Sequence, residues 1–183
     1  MTLRILQATA VALAAALAAD LTAASPQTPR LHPPDVKFVA SPQNVVDEML
    51  ELAHVTAGDL VYDLGSGDGR VPITAAERYG ARGVGIEIDP ALVRESNSRL
   101  AKTGVADRVR FINQDLFDAD LGEATVVAVF LLPRVLDRLL PKLRRELRPG
   151  TRIVSNQYHF GDEWPPDETR DVYGLTIYLW TIR

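Results

Sequence analysis

The sequence predicts an α/β protein whose doubly wound, mostly parallel sheet ends in an antiparallel hairpin. From residue 36 onward, short apolar runs alternate with segments in which apolar residues recur at helical spacing. The run from Thr125 to Leu131 is almost continuously apolar, as expected of a central parallel strand that is covered on both faces. The chain has 183 residues, of which 46% are hydrophobic and 24% are charged. We therefore expect one globular domain with a substantial core.

Four elements are predicted between residues 42 and 87. Ser41 and Pro42 are typical of a helix start, with Ser41 as the N-cap and Pro42 at the first helical position. Gly58 and Asp59 form a turn that leads into a short apolar run, which indicates a buried strand. We predict a helix over 42–54, a strand over 60–64, a helix over 70–79 and a strand over 83–87.

The same alternation continues to the end of the chain. Asp89 is the expected N-cap of the third helix, and Pro141 predicts a break in the fourth because proline lacks the N–H that a helix needs. Tyr173 and Gly174 predict a hairpin turn. We predict helices over 90–103 and 134–147, and strands over 109–112, 125–131, 152–158, 169–172 and 175–182.

The N-terminal segment is typical of an export signal. Arg4 precedes the Ala/Leu-rich run of residues 5–19, and Thr22-Ala23-Ala24 resembles a cleavage site. We predict a signal peptide or membrane anchor over residues 1–24, a Pro-rich linker over 25–35 and the folded domain over 36–183. Export would place the protein in the periplasm or cell envelope, and residues 5–19 would provide any membrane association. An organelle presequence and a misassigned start codon, with a cytoplasmic protein, stay open.

A Gly-rich loop, Asp63 to Arg70, connects the first predicted strand to the second predicted helix. Arg70 stands where the dinucleotide fingerprint requires its third glycine, and the Asp63 carboxylate would repel a pyrophosphate. A carboxylate beside backbone N–H groups at a helix start suits a zwitterionic amino-acid group instead.

Two further carboxylates follow the next strands. Glu87 lies 87 − 65 = 22 residues after Gly65, a separation at which an acidic side chain binds ribose hydroxyls. Asp115 follows the third strand, where it could accept a hydrogen bond from an adenine amino group. An amino acid joined to adenosine describes S-adenosylmethionine.

These motifs resemble those of the class I S-adenosylmethionine-dependent methyltransferases, across residues 36–183. The resemblance implies a Rossmann-like fold in which Asp63 and the glycine loop hold the methionine part, Glu87 the ribose, and Asp115 with the Leu116 backbone the adenine. The implied cofactor-binding residues are Asp63, Gly65, Ser66, Gly67, Asp68, Gly69, Glu87, Asp115 and Leu116. Compared with that family, the helix between the fifth strand and the terminal hairpin is missing.

Within that superfamily, Phe38 to Pro42 and Val61 to Arg70 resemble the small FAM173-type protein-lysine methyltransferases and, more distantly, the Dot1 group. We therefore expect methyl transfer to a protein lysine amine by in-line displacement. The alternatives are a small-molecule methyltransferase, in which residues 162–166 would close over the acceptor, and a non-catalytic module that binds the cofactor.

Methyl transfer from a sulfonium needs an uncharged nucleophile held in line and shielded from water, so no catalytic residue is assigned. The candidates for the acceptor pocket follow the fourth and fifth strands and are Leu132, Pro133, Asn156, Tyr158 and Trp164. The chain has no cysteine, and we predict no metal site. A formal net charge of −4 disfavours a nucleic-acid acceptor and leaves a protein or a small molecule.

Overall fold

The structure is a computed structural model that describes Leu31, Pro33 and residues 38–183. The predicted signal or anchor over 1–24 and most of the predicted linker lie outside these residues. Within the described part of the chain, no helix is long and apolar enough to cross a membrane.

Four helices and seven strands are described. In chain order they are α1 (Gln43–Leu52), β1 (Leu60–Leu64), α2 (Arg70–Tyr79), β2 (Arg82–Glu87), α3 (Pro90–Leu100), β3 (Val109–Asn113), β4 (Val126–Val129), α4 (Pro133–Glu146), β5 (Arg152–Asn156), β6 (Glu168–Val172) and β7 (Leu175–Thr181). The predicted order of elements is confirmed, and α2 has the predicted bounds.

The strands form one sheet in the order β3-β2-β1-β4-β5-β7-β6. The first five strands are parallel, and β7 pairs antiparallel with both β5 and β6. Tyr173 and Gly174 have φ of 53° and 82°, the left-handed conformations of a two-residue hairpin turn that matches strand twist. The predicted doubly wound sheet with a terminal hairpin is therefore confirmed.

Each face of the sheet carries its own core. On one face, α1 and α2 pack on the sheet through residues such as Met49, Leu50 and Val71. On the other face, α4 packs through Leu136, Leu139 and Leu143, which are fully buried. The alternation of side chains along each strand supplies both cores, so Val61 faces one and Tyr62 the other.

Two local predictions are wrong. Helix α4 continues through Pro141 without a break, because Pro141 lies on its exposed side, where water can reach the carbonyl that loses its partner. Ser41 is not the N-cap of α1: Pro42 takes that position without a side-chain cap, because the Ser41 hydroxyl is engaged with Asn156.

Strand β5 ends at Asn156, two residues before the predicted end, because the chain turns sharply there. Residues 157–167 contain no helix and lead directly into β6, as expected from the sequence.

Candidate functional site

The site lies at the carboxyl ends of the parallel strands, where β1 is flanked by β2 on one side and β4 on the other. This is the point at which the strand order reverses, and open α/β sheets bind their ligands there. A cavity of about 580 Å³ opens at this edge. Most of the predicted cofactor-binding residues line it, and these are Asp63, Gly65, Ser66, Asp68, Glu87, Asp115 and Leu116.

The loop between β1 and α2 depends on glycine at two close contacts. Gly67 has φ of 53°, and a Cβ added there would lie 2.0 Å from Cε2 of Phe38. Gly69 has φ of 79°, and its Cβ would lie 2.4 Å from Cζ of Phe111. Both residues belong to the loop without lining the cavity. They let the backbone turn tightly between β1 and α2.

Glu87 ends β2 and connects the loop to the next element. Its Oε2 accepts from the Gly67 N–H at 2.8 Å, and its Oε1 accepts from the Asp89 N–H at 2.9 Å. The side chain is buried but lines the cavity. Because an ionised carboxylate has about four acceptor positions, both oxygens keep capacity for a ligand hydroxyl.

Asp63 is a buried carboxyl group in the cavity wall. Within the described residues, no hydrogen bond reaches its side chain. Burial raises the pKa of Asp63 to about 8, and the negative charges of Glu87 and Asp68 add to this effect. Such a group favours a cationic ligand, because the ligand's charge would stabilise the ionised form.

Asp68 has the opposite electrostatic environment. Burial alone would raise its pKa, but hydrogen bonds from Arg70 and the charges of Arg70 and Arg99 outweigh burial and lower it. Nη2 of Arg70 lies 2.6 Å from Oδ2 of Asp68, and Nη2 of Arg99 lies 2.8 Å from the same oxygen. This ion-pair cluster fixes the loop to α2 and α3 and leaves Asp68 little capacity to bind a ligand.

A segment before α1, residues 38–41, borders the cavity and is here called the strap. Nη1 of Arg70 donates to the Ser41 carbonyl at 2.6 Å, and Nδ2 of Asn156 donates to the Ser41 hydroxyl at 2.9 Å. Neither the strap nor Arg70 is among the site residues predicted from the sequence. The arginine at the position of the third glycine was the one visible signal for Arg70.

Asp115 and Leu116 lie in the turn that follows β3. Oδ1 of Asp115 accepts from the Phe117 N–H at 2.9 Å, which holds this turn against the cavity. The turn faces the same cavity as Glu87.

The acceptor-pocket candidates lie around the cavity rather than in its wall. Leu132 and Pro133 begin α4, and the ring of Tyr158 stacks on that of Phe130, a wall residue, with centroids 6.2 Å apart. Trp164 is half-buried, packs against Phe160 and Trp180 at the edge of the core, and lines a different cavity. Asn156 is buried behind the strap. Phe130 and Leu131, which follow β4, form the wall at this point.

The residues present fit a zwitterionic adenosyl ligand. Asp63 offers a carboxyl group without a described hydrogen-bond partner, and Ser66 offers a buried hydroxyl that has no partner among the described residues. Both face the cavity, and Glu87 and Asp115 stand further along its wall. Within the same residues, no group of three or more His, Asp or Glu side chains could hold a metal ion.

Comparison with known proteins identifies related chains. Residues 63–168 match the ANTKMT methyltransferase domain family. A protein-lysine N-methyltransferase of Saccharolobus islandicus is 43% identical over 154 residues, which cover 81% of this chain and 95% of that protein. The adenine nucleotide translocase lysine N-methyltransferase of Mus musculus is 36% identical over 72% of this chain, and the match spans 56% of that relative's length.

A similar solved structure is that of an RNA methyltransferase from Salinibacter ruber in complex with S-adenosyl-L-homocysteine. It is 54% identical, covers 79% of this chain and 94% of that chain, and superimposes with a TM-score of 0.77.

Proposed function

The chain belongs to the ANTKMT methyltransferase domain family, and from this premise we propose that it transfers a methyl group from S-adenosylmethionine to the side-chain amine of a protein lysine. The observation that carries the proposal is the 43% identity to a protein-lysine N-methyltransferase over 95% of that relative's length. The match is long enough to include both the cofactor loop and the walls of the cavity.

Each wall of the cavity is assigned to one part of the cofactor. Asp63 would face the ammonium of the methionine part, while N–H groups of the glycine loop at the start of α2 would take its carboxylate. Glu87 would accept from the ribose hydroxyls, and Asp115 with the Leu116 backbone would bind the adenine. Bound there, the cofactor supplies a methyl group on a positively charged sulfur.

The acceptor amine must be neutral when it reacts. Phe130 and Leu131 form an apolar wall at the end of β4, and removal of water by such a wall lowers the pKa of a lysine amine. The described residues place no further domain over this end of the sheet. A lysine on the surface of a protein could therefore reach the cavity directly.

The test is transfer of radiolabelled methyl groups from S-adenosylmethionine into fractionated host lysate by the full-length protein. Glu87→Gln is the matched control, because it keeps the size of the side chain but removes the charge that serves the ribose hydroxyls. We expect label in protein that is lost in the control, with mass spectrometry locating it on lysine. Label only in the extractable small molecules would contradict the proposal and favour a small-molecule acceptor. Cofactor binding without label in any fraction would favour a non-catalytic binding module.

An RNA acceptor is the second candidate, because the 54% identical structure is that of an RNA methyltransferase. The net charge of −4 opposes it, since RNA binding depends on cations that neutralise phosphates. Treating the labelled precipitate with protease or with ribonuclease separates the two. Label released by ribonuclease alone would replace the lysine proposal with the RNA one.

For the N-terminal segment, we infer an export signal over residues 1–24, which is cleaved or retained as an anchor. The basic end, the apolar run and the small residues at 22–24 support this. N-terminal sequencing of the protein from its native host tests it. A start near Ser25 is expected for a cleaved signal, and an intact Met1 on the membrane for an anchor. An intact Met1 in the soluble cytosolic fraction would refute the inference.

A further inference from the structure

The Asn156 amide at the end of β5 has an unused hydrogen-bonding atom. The residue is 1% exposed, and its Nδ2 donates to the Ser41 hydroxyl at 2.9 Å. Its Oδ1 has no partner among the described residues. Because a buried carbonyl oxygen without a donor is costly, this atom is expected to have a partner other than the described residues.

Asn156 stands directly behind the wall of the cavity. In the pairing of β4 with β5, Val129 lies opposite Ser155, so the next pair places Asn156 beside Phe130. Phe130 and Ser41 both line the cavity. Asn156 is therefore flanked by two wall residues at the carboxyl end of the sheet.

The backbone after Asn156 is strained. The Tyr158 N–H donates to the Asn156 carbonyl at 2.8 Å, which closes a three-residue turn around Gln157. Gln157 has φ of 68°, a conformation that residues other than glycine rarely adopt. Strain of this kind persists where the surrounding structure fixes a functional geometry, and here it ends β5 at the residue that carries the unused oxygen.

We propose that Oδ1 of Asn156 accepts a hydrogen bond from the lysine amine and so orients its lone pair toward the methyl group. The inference rests on the proposed lysine methyltransferase function. A neutral amine has two N–H donors and one lone pair, so an acceptor that takes one N–H restricts the direction of the lone pair. An amide oxygen is also uncharged. It therefore stabilises the protonated, unreactive form of the lysine less than a carboxylate would.

The reaction balances without a base in the wall. The lysine ammonium first loses one proton to water. The amine lone pair then forms the N–C bond while the C–S bond breaks and its electron pair stays on sulfur. The methylated ammonium finally releases a proton to solvent.

Three full-length variants separate orientation of the amine from support of the strap. Asn156→Ala removes the oxygen and also the bond to Ser41. Ser41→Ala removes only that bond. Asn156→Asp keeps an acceptor but adds a negative charge. The acceptor is the peptide that carries the lysine labelled by wild type, and cofactor affinity is measured on each variant to establish that it is folded.

We expect Asn156→Ala to lower kcat on this peptide by about tenfold or more, since a lost orienting bond costs a decade or more in rate. Its cofactor affinity should stay within about twofold of wild type, and Ser41→Ala, which keeps Oδ1 of Asn156, should lower kcat by a smaller factor than Asn156→Ala does. Asn156→Asp should move the acidic limb of the kcat profile, which reports the enzyme–substrate complex, to higher pH by about one unit, because the carboxylate stabilises the bound lysine ammonium. A purely structural role would leave that limb in place.

Binding provides a readout that is independent of turnover. n-Butylamine serves as a probe of the lysine side chain, and its binding to protein saturated with S-adenosylhomocysteine is followed by NMR. Binding should weaken by a larger factor in Asn156→Ala than in Ser41→Ala. Equal losses in the two alanine variants, together with a shared loss of cofactor affinity, would overturn the inference in favour of a structural role. A wild type that labels no lysine would refute the proposed function itself, and this inference with it.

Discussion

Cofactor binding should release a proton from Asp63. With a pKa of about 8, its carboxyl group is about 0.9 protonated at pH 7 and about 0.1 protonated at pH 9. A cationic ammonium beside it would stabilise the ionised form. Binding at pH 7 should therefore expel about 0.9 proton per site from this group, and cofactor affinity should rise about ninefold between pH 6 and pH 7.

Isothermal titration calorimetry measures this release directly. At pH 7 the binding heat is recorded in phosphate and in Tris, whose ionisation enthalpies differ, and the difference gives the protons released. Asp63→Asn is the matched control, because it keeps the shape of the side chain but cannot titrate, so that any remaining release belongs to the ligand. A heat that does not depend on the buffer, or equal release in both proteins, would refute the assignment of Asp63 to the cation.

Three further outcomes are expected. Gly67→Ala should weaken cofactor binding by about tenfold or more. Its Cβ would lie 2.0 Å from the Phe38 ring, and a left-handed backbone costs a non-glycine residue about 1–2 kcal/mol. Adding Phe38→Ala to this variant should recover part of the affinity, and no recovery would contradict the steric reason. Asp59→Asn should lower the free energy of unfolding by about 2 kcal/mol, since it weakens the bonds to Arg152 and Thr125. Because the pKa of Asp59 is lowered in the folded state, its contribution is complete above the unfolded value near 4 and is lost as pH falls through the folded value; a urea midpoint difference that does not shrink between pH 5 and pH 3 would contradict this. Trp180→Ala should cost about 3–5 kcal/mol in urea unfolding, because the side chain is fully buried, and a loss below about 1 kcal/mol would contradict its role in the core.

The sequence could predict the sheet and the cofactor loop because both are encoded locally. Apolar runs and glycine positions mark the strands and turns. Asp63 and Glu87 lie at the carboxyl ends of β1 and β2, which are neighbours in the sheet. Pro141 shows the limit of such rules. The preference against proline within a helix is real, but burial of Leu139 and Leu143 on the same helix outweighs it.

The walls of the acceptor side were harder to predict because they arise from contacts that are distant in the chain. Trp164 and Phe130 are both large apolar residues after strands, and nothing in the local pattern indicates that Trp164 packs at the edge of the core while Phe130 lines the cavity. The place of Trp164 depends on the path of residues 157–167 after β5.

Ser41 contacts both the cofactor side and the acceptor side of the site, and these contacts explain why it is not the N-cap of α1 that the sequence predicts. Its carbonyl accepts from Arg70, which also pairs with Asp68 in the cofactor loop. Its hydroxyl accepts from Asn156 on the acceptor side. A serine before proline satisfies the usual rule for an N-cap, but here both of its oxygens serve contacts across the site. The strap is thus held at one residue by Arg70 at the start of α2 and by Asn156 at the end of β5.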